Sequence, residues 1–363
     1  MRAKKHILFL CLLCFLCSCG PHKIFLKQQI SSPQYHVETG MVLFELGKTK
    51  EAENEFQLAL QMDPHLVKAY VGRALVEATK NKQQEALKFI KRAEEIAKDK
   101  EEIVNVNLGK IRITYISYTA KLLPMAEKAF AQIMEIKPGY PPAYFYMALV
   151  YEKAFQFDKA LSLLDKVLKS ENALVLKAYN EIDKITKIKK AQPLTNVGKE
   201  IGLKDAITRA DMAALLVHEL KLPQILEIPH TSPPMIRDIG GERFAKEIIT
   251  IAPYHIAELS VTVDGYFDPQ LKITKASFCE ILQDIYVRIS GDEGLRNRFK
   301  NIRSPYKDLD PRAPYYNACI LALIKGFVLP KDRLNKEFGP LSPVSGADAL
   351  IGLKRLRTEL RIF

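Results

Sequence analysis

Cysteine thiols are the most reactive side chains in this 363-residue sequence, and they are unevenly distributed. Four of the six cysteines lie within the first 19 residues, and only Cys279 and Cys319 fall in the remainder. The two later cysteines stand in apolar stretches typical of buried helices, where a thiol packs as a small hydrophobic group. Two cysteines make no disulfide framework. Whether these two pair with each other stays open.

The other chemistry-bearing residue types form no catalytic or metal-binding pattern. The seven histidines are scattered without H-E-x-x-H spacing, and neither G-x-G-x-x-G nor G-x-x-x-x-G-K-[ST] occurs. We therefore predict no catalytic residue, no metal site and no cofactor. The net charge of +12 suits anionic lipid headgroups or acidic wall polymers. The basic stretch Lys184–Lys190 carries alternating isoleucines, which predicts a helix with a solvated face and no nucleic-acid partner.

Residues 1–18 are predicted to be a signal peptide. A basic start precedes an apolar run over Ile7–Leu16, which is too short to span a bilayer core of about 30 Å. The run ends in Leu-Cys-Ser-Cys-Gly, residues 16–20, which resembles the lipobox of bacterial lipoproteins. The resemblance implies that Cys19 carries the lipid, and Gly20 after it implies an outer-membrane anchor. The periplasmic face is the expected location, and a surface-exposed orientation stays open. A plain signal peptide is the alternative. Residues 19–32 would form a tether.

A 34-residue period runs through the first half of the chain. Units begin at Pro33, Val67 and Pro141, and small residues recur at matching places. These are Gly40, Ala52 and Ala59, then Ala74, Ala86 and Ala93, then Ala148 and Ala160. The pattern resembles the tetratricopeptide repeat, in which pairs of antiparallel helices stack into a solenoid. A third unit is irregular, because its first helix, about residues 102–119, lacks the expected small residue. The repeat domain, including a lysine-rich capping helix, is predicted over residues 33–190.

The tetratricopeptide resemblance implies a groove, lined by the first helix of each unit, that holds a peptide of a partner protein. Carried onto this sequence, the groove positions are Val37, Met41, Phe44, Lys68, Val71, Leu75, Phe145 and Leu149. They are mainly apolar, which favours an amphipathic or extended hydrophobic segment as the ligand. The alternative is that the chain's own linker or cap fills the groove.

Residues 191–206, predicted to be a linker together with the start of a first repeating unit, precede a second repetition over residues 207–360. The segments Ile207–Asp211, Ile273–Ser277 and Val344–Asp348 each place Thr or Ser before an apolar helix, at intervals of 66 and 71 residues. This is the pattern of helix N-caps. Together with the Asp264-Gly265 turn, it resembles the surface-layer homology domain. The resemblance implies three mostly helical units with approximate threefold symmetry.

Members of that family attach proteins to peptidoglycan or another wall polysaccharide. The residues that would bind such a polymer here are Arg209, Asp238, Phe244, Asp264, Gly265, Lys275, Asp308 and Tyr315. The sequence departs from the family pattern, because Gly346 stands where a basic residue is expected and Phe244 and Tyr315 replace tryptophan. A module retained as a scaffold or as a dock for proteins is the alternative.

These observations predict a mainly α-helical chain: a tetratricopeptide α-solenoid followed by a mostly helical module like the three-unit surface-layer homology domain. The expected function is that of an outer-membrane lipoprotein acting as a non-enzymatic scaffold. It would bind an envelope protein through the repeats and a wall polysaccharide through the module. An assembly or secretion adaptor, in which both parts bind proteins, is the second hypothesis. An envelope hydrolase is the third, but no stretch is left for its catalytic domain.

Overall fold

The computed structural model describes residues 32–227 and 235–362 of the chain. Within these ranges the chain is mainly α-helical, with sixteen α-helices and no strand beyond three isolated bridges. None of the helices in the described ranges is long and apolar enough to cross a membrane. The predicted lipid attachment residue, Cys19, lies outside the described residues. Cys279 and Cys319 are free thiols, both buried.

The chain divides into two compact units, the first ending at Val150 and the second starting at Tyr151. The helices of the first unit are α1 (Pro33–Glu45), α2 (Thr49–Met62), α3 (Val67–Thr79), α4 (Gln83–Ile96), α5 (Lys100–Ile116), α6 (Leu123–Ile136) and most of α7 (Pro141–Lys153). The helices of the second unit are α8 (Phe157–Leu168), α9 (Val175–Ala191), α10 (Asn196–Gly202), α11 (Arg209–His218), α12 (Leu222–Ile225), α13 (Ala245–Ile251), α14 (Lys275–Ser290), α15 (Tyr316–Ile324) and α16 (Gly346–Glu359).

This division lies earlier in the chain than the boundary expected at residue 190. The helices α8 and α9 belong to the second unit, because α9 packs against both α8 and α16. The stretch predicted to hold a linker and the start of the next unit, residues 191–206, contains α10. A buried carboxylate fixes its start: Glu219 accepts hydrogen bonds from Leu194 N at 2.7 Å and from Thr195 N at 2.9 Å.

Helix pairs in the first unit pack closely where small residues face a large one. The fully buried ring of Phe56 on α2 lies against both α1 and α3. A Cβ at Gly40 would lie 2.7 Å from that ring, and one at Gly72 would overlap it. The predicted small residue Gly40 is therefore a contact point between helices, and Gly72, which was not predicted, is another.

The irregular third repeat has its small residue after all. Helix α5 begins at an Asp99 capping box, runs for 17 residues, and carries Gly109 near its middle. A Cβ at Gly109 would lie 2.8 Å from the Val71 side chain of α3. The expectation that this helix lacks a small contact residue is wrong, because the longer helix moves that residue out of the ordinary repeat position.

The second unit is organised around a ring of three backbone hydrogen bonds. Ile207 N donates to Val344 O at 2.9 Å, Ile273 N to Ile207 O at 2.9 Å, and Val344 N to Ile273 O at 3.0 Å. Each of these residues directly precedes a capping Thr or Ser and a helix, α11, α14 or α16. The three capped segments predicted from the sequence thus surround one common point.

A carboxylate cluster joins the end of α7 to α9 within the second unit. The Nζ of Lys184 lies 2.9 Å from Glu181, 3.2 Å from Asp205 and 4.0 Å from the carboxylate of Glu152. Glu152 is only 4% exposed. Desolvation by burial, reinforced by the negative charge of Glu181, raises the pKa of Glu152 to about 8.

This pKa predicts that the stability of the protein falls as pH rises from about 4.5 to about 8. In that window the folded state keeps the Glu152 proton, which the unfolded state has already released. The variant Glu152→Gln carries no such proton, so we expect a flatter dependence of melting temperature on pH. The exposed Glu171→Gln serves as the control and should follow the wild type. An unchanged slope in Glu152→Gln would contradict this assignment.

Candidate functional site

The residues predicted to line a partner groove lie on the first helix of each repeat, but most are interior. Val37, Val71, Leu75, Phe145 and Leu149 are all buried. Met41 and Phe44 are half-buried, while Lys68 is exposed and lies 3.4 Å from Glu101. The buried five present little surface to a partner in this structure.

One arginine explains why this part of the first unit is filled. Arg112 on α5 is 7% exposed, and its guanidinium lies 5.6 Å from the ring centroid of Phe44 and 4.8 Å from that of Tyr146. It also forms an ion pair with Glu45. Helices α1, α5 and α7 therefore meet around this side chain. Sequence reasoning missed Arg112, because the irregular third repeat hid which α5 residues face inward.

Arg209, predicted to bind a wall polymer, is held by backbone carbonyls of the second unit. Its Nε donates to Phe267 O at 2.6 Å, its Nη2 donates to Ser260 O at 3.0 Å, and its Nη1 donates to Glu258 O. The guanidinium lies 4.7 Å from the ring centroid of Phe267. Burial lowers the pKa of Arg209. This side chain positions a loop of its own unit.

Lys275 occupies the equivalent place in the next repeat. Its Nζ donates to Phe338 O at 2.9 Å and to Leu329 O at 3.2 Å, and it lies 5.3 Å from the Phe338 ring centroid. Burial lowers the pKa of Lys275, because the ammonium is desolvated and hydrogen-bonded only to carbonyl groups. The structure therefore brings a partly buried cation to this position.

Two of the predicted aspartates hold the loops on which these cations rest. Asp238 accepts hydrogen bonds from Phe267 N at 2.9 Å and Asp268 N at 2.7 Å. Asp308 accepts from Phe338 N at 2.7 Å and Gly339 N at 2.8 Å. Desolvation opposes ionisation of Asp308, but these N–H donors outweigh it and lower its pKa. In successive repeats of the second unit, each carboxylate accepts hydrogen bonds from two consecutive backbone N–H groups and so fixes the loop.

The remaining predicted residues are dispersed. Phe244 is buried at the start of α13, and Tyr315 is half-buried at the start of α15. Asp264 is exposed, and Gly265 has a positive φ of 83° in the adjoining turn. The structure therefore assembles the pairs Arg209–Asp238 and Lys275–Asp308 but not the whole predicted set.

The third capped segment of the second unit has Gly346 where the other two have Arg209 and Lys275, because neighbouring backbone occupies the space that a side chain would need. Gly346 N donates to Lys204 O at 2.8 Å, the counterpart of the bonds from Arg209 N to Leu271 O and from Lys275 N to Ser342 O. A Cβ at Gly346 would overlap the carbonyl oxygen of Ile201, at the end of α10. The absence of a basic side chain here follows from this close approach.

Lys275 lines a cavity of about 570 Å³ in the second unit. Helix α9 forms one wall with Lys187 and Lys190, and helix α16 contributes Asp348, Ile351 and Arg355. The segments around residues 327–331 and 342–344 complete it, with Phe278 and Phe327 adding apolar surface. The charged lining residues are Lys187, Lys190, Lys275, Lys331 and Arg355, with Asp183 and Asp348.

Only some of these cations have a carboxylate partner. Lys187 lies 2.9 Å from Asp183 and 3.1 Å from Asp348, and Lys331 lies 3.5 Å from Glu337. Arg355 donates to Gly326 O, and Lys275 donates only to carbonyls.

Within residues 32–227 and 235–362, no carboxylate lies within ion-pair distance of Lys190, Lys275 or Arg355. These three cations line the same cavity without an ion pair, and cations so placed can bind an anion through charge-assisted hydrogen bonds.

Sequence reasoning missed Lys187, Lys190 and Arg355. The signal was the alternation of lysine and isoleucine in α9, which was interpreted as a solvated face. Ile185 and Ile188 are buried, and two of the lysines on the same helix, Lys187 and Lys190, line a cavity. The described residues contain no group of three or more His, Cys, Asp or Glu side chains that could hold a metal ion.

Comparison with known proteins bears on the first unit. The family model of the tetratricopeptide repeat matches residues 33–66, which span α1 and α2. The chain thus contains a repeat of the kind that forms scaffolds for protein–protein interaction. No curated protein matches the chain.

Proposed function

We propose that this chain is a non-enzymatic scaffold of the bacterial cell envelope. Its tetratricopeptide region binds a partner protein, its second unit binds an acidic wall polysaccharide, and a lipid on Cys19 anchors it to the outer membrane. The tetratricopeptide match supports the first element. The cationic cavity beside Lys275 supports the second. The motif at residues 16–20 supports the third.

The observation that carries the polysaccharide proposal is that Lys190, Lys275 and Arg355 line one cavity and none of them forms an ion pair with a described carboxylate. Lys275 is partly desolvated whereas Lys190 is exposed, and an anionic ligand would offset the desolvation cost at Lys275. The exposed side chain of Leu329 in the same cavity offers apolar surface that suits the carbon-bound hydrogens of a sugar ring. Acidic polysaccharides present both features together.

Sedimentation with purified sacculi tests this proposal. The whole chain in a non-ionic detergent should pellet with sacculi at low salt and be released at high salt, because screening weakens surface electrostatics. A fragment that starts at residue 191 would be a poor test, since it lacks Lys187 and Lys190. A folded whole chain that stays in the supernatant at low salt would remove wall binding from the proposal.

The lipid anchor leads to a separate prediction. Radiolabelled palmitate fed to expressing bacteria should be incorporated into the wild type and into Cys17→Ser, but not into Cys19→Ser. The reason is that the thioether forms on the sulfur of one cysteine. Labelling of Cys19→Ser, or equal loss in both variants, would contradict the assignment of Cys19.

One observation favours the adaptor hypothesis, in which both units bind proteins. The Arg209 donors are directed at carbonyls of Phe267, Glu258 and Ser260, so the family-typical basic residue of that repeat stabilises the fold. If the adaptor hypothesis holds, the folded whole chain should stay in the supernatant with sacculi at low salt, while cross-linking still captures a protein partner on the second unit.

A further inference from the structure

A second cavity of about 290 Å³ adjoins the first on the surface of the second unit. The two cavities share Lys190, Ile351 and Arg355 as a common wall. The second cavity adds Lys325, Lys354, Thr358 and Glu359. It lies outward from Lys275, on the side where α9 ends, and none of the residues predicted from the sequence to bind a polymer belongs to it.

The cations of the second cavity differ in how they are compensated. Lys354 Nζ donates to Lys190 O at 2.7 Å and to Gln192 Oε1 at 2.7 Å, which are both uncharged acceptors. Lys325 forms an ion pair with Glu359. Across the part of the chain that the structure describes, Lys354 therefore joins Lys190 and Arg355 as a cation without an ion pair.

One face of α16 connects the two cavities. Ile351, Lys354, Arg355 and Thr358 follow the i, i+3, i+4, i+7 spacing that places residues on the same side of a helix. From Asp348, which lines the first cavity, to Thr358, which lines the second, this face extends about 15 Å at a rise of 1.5 Å per residue. The uncompensated cations thus form a track.

We propose that the two cavities are consecutive subsites for an acidic polysaccharide. The cavity beside Lys275 takes one acidic residue, and the cavity beside Lys354 takes a neighbouring one. This inference rests on the proposed function and extends it, because it makes the ligand a polymer with charges on more than one residue. Two adjoining cavities along one helix face fit a single flexible chain that carries charge on successive residues.

Oligogalacturonates of different length are the probes that test the inference. The whole chain in non-ionic detergent is titrated with galacturonate and with hexagalacturonate. The hexamer should bind at least about ten-fold more tightly than the monomer, because it engages a second set of charge-assisted hydrogen bonds. Lys354→Gln should lower the affinity for the hexamer about ten-fold and leave the affinity for the monomer unchanged.

Two further variants keep the outcome clear. Lys325→Gln removes charge from the second cavity alone and should act in the same direction as Lys354→Gln. Lys189→Gln removes a charge from α9 outside both cavities, where Lys189 pairs with Asp158, and should bind like the wild type. The melting temperature of each variant confirms that it is folded.

The inference is overturned if monomer and hexamer bind equally, or if Lys354→Gln and Lys189→Gln behave alike. It is also overturned if phosphatidylglycerol vesicles bind and lose affinity on Lys354→Gln while the hexamer does not bind, since the track would then serve a membrane. Failure of both galacturonates and of the sacculi would remove the proposed polysaccharide function itself. Tight binding of the monomer alone would leave that function standing and remove only the second subsite.

Discussion

Replacing Lys190 and Arg355 together with glutamine should lower the affinity for hexagalacturonate about a hundred-fold, because each charged hydrogen bond contributes roughly 1.5–3 kcal/mol. Both side chains line both cavities, and neither has a carboxylate partner among the described residues. Glutamine keeps a polar, though shorter, side chain and removes the charge. Titration of the whole chain at low salt measures the effect.

Lys189→Gln is the matched control for this prediction. It makes the same chemical change as Lys190→Gln one residue earlier on α9, at a position outside both cavities. We expect its affinity to stay within about two-fold of the wild type, as for an exposed charge. If Lys189→Gln weakened binding as much as the double variant, the effect would be due to net charge, and the cavity assignment would be wrong.

The second large effect is expected on stability. Gly346→Ala should destabilise the protein by about 3 kcal/mol, the upper end of the usual cost of overpacking. The added Cβ would overlap the carbonyl oxygen of Ile201, and backbone cannot move aside as a flexible side chain can. Urea unfolding of the variant should show a lower midpoint with an unchanged slope.

Gly240→Ala is the control for that substitution. A Cβ at Gly240 would meet nothing within 4 Å, and its backbone is not in the left-handed region. Its unfolding midpoint should match the wild type closely. If Gly346→Ala were as stable as Gly240→Ala, α10 would not approach the start of α16 as closely as described. The explanation for glycine at position 346 would then be wrong.

The repeat packing in the first unit was predictable because it is local. A fixed 34-residue period places Gly40 and Ala74 at matching positions, and Gly40 contacts the predicted large residue Phe56, while the contact of Gly72 with the same ring was not predicted. The third repeat of the first unit was harder to predict, because its first helix is longer and its small contact residue, Gly109, lies outside the usual repeat position. The groove prediction failed to anticipate Arg112, because a cation stacked between Phe44 and Tyr146 joins three helices and leaves no periodic signal.

In the second unit, the three capped segments were visible in the sequence, and their meeting at the ring of Ile207, Ile273 and Val344 agrees with the expected three-unit arrangement. The sequence alone could not reveal why position 346 is glycine and not a basic residue, because the reason is the close approach of the Ile201 backbone.

The cavity itself was not predictable. Lys190 and Arg355 are far apart in the chain, and only the packing of α9 against α16 brings them together.

Sacculus sedimentation of three forms of the whole chain tests the central claim most directly. At low salt, the wild type and Lys189→Gln should pellet with purified sacculi to the same extent, while the variant with both Lys190 and Arg355 changed to glutamine should stay largely in the supernatant. If the double variant pellets as completely as the wild type, the cationic cavity does not bind the wall and the account is contradicted.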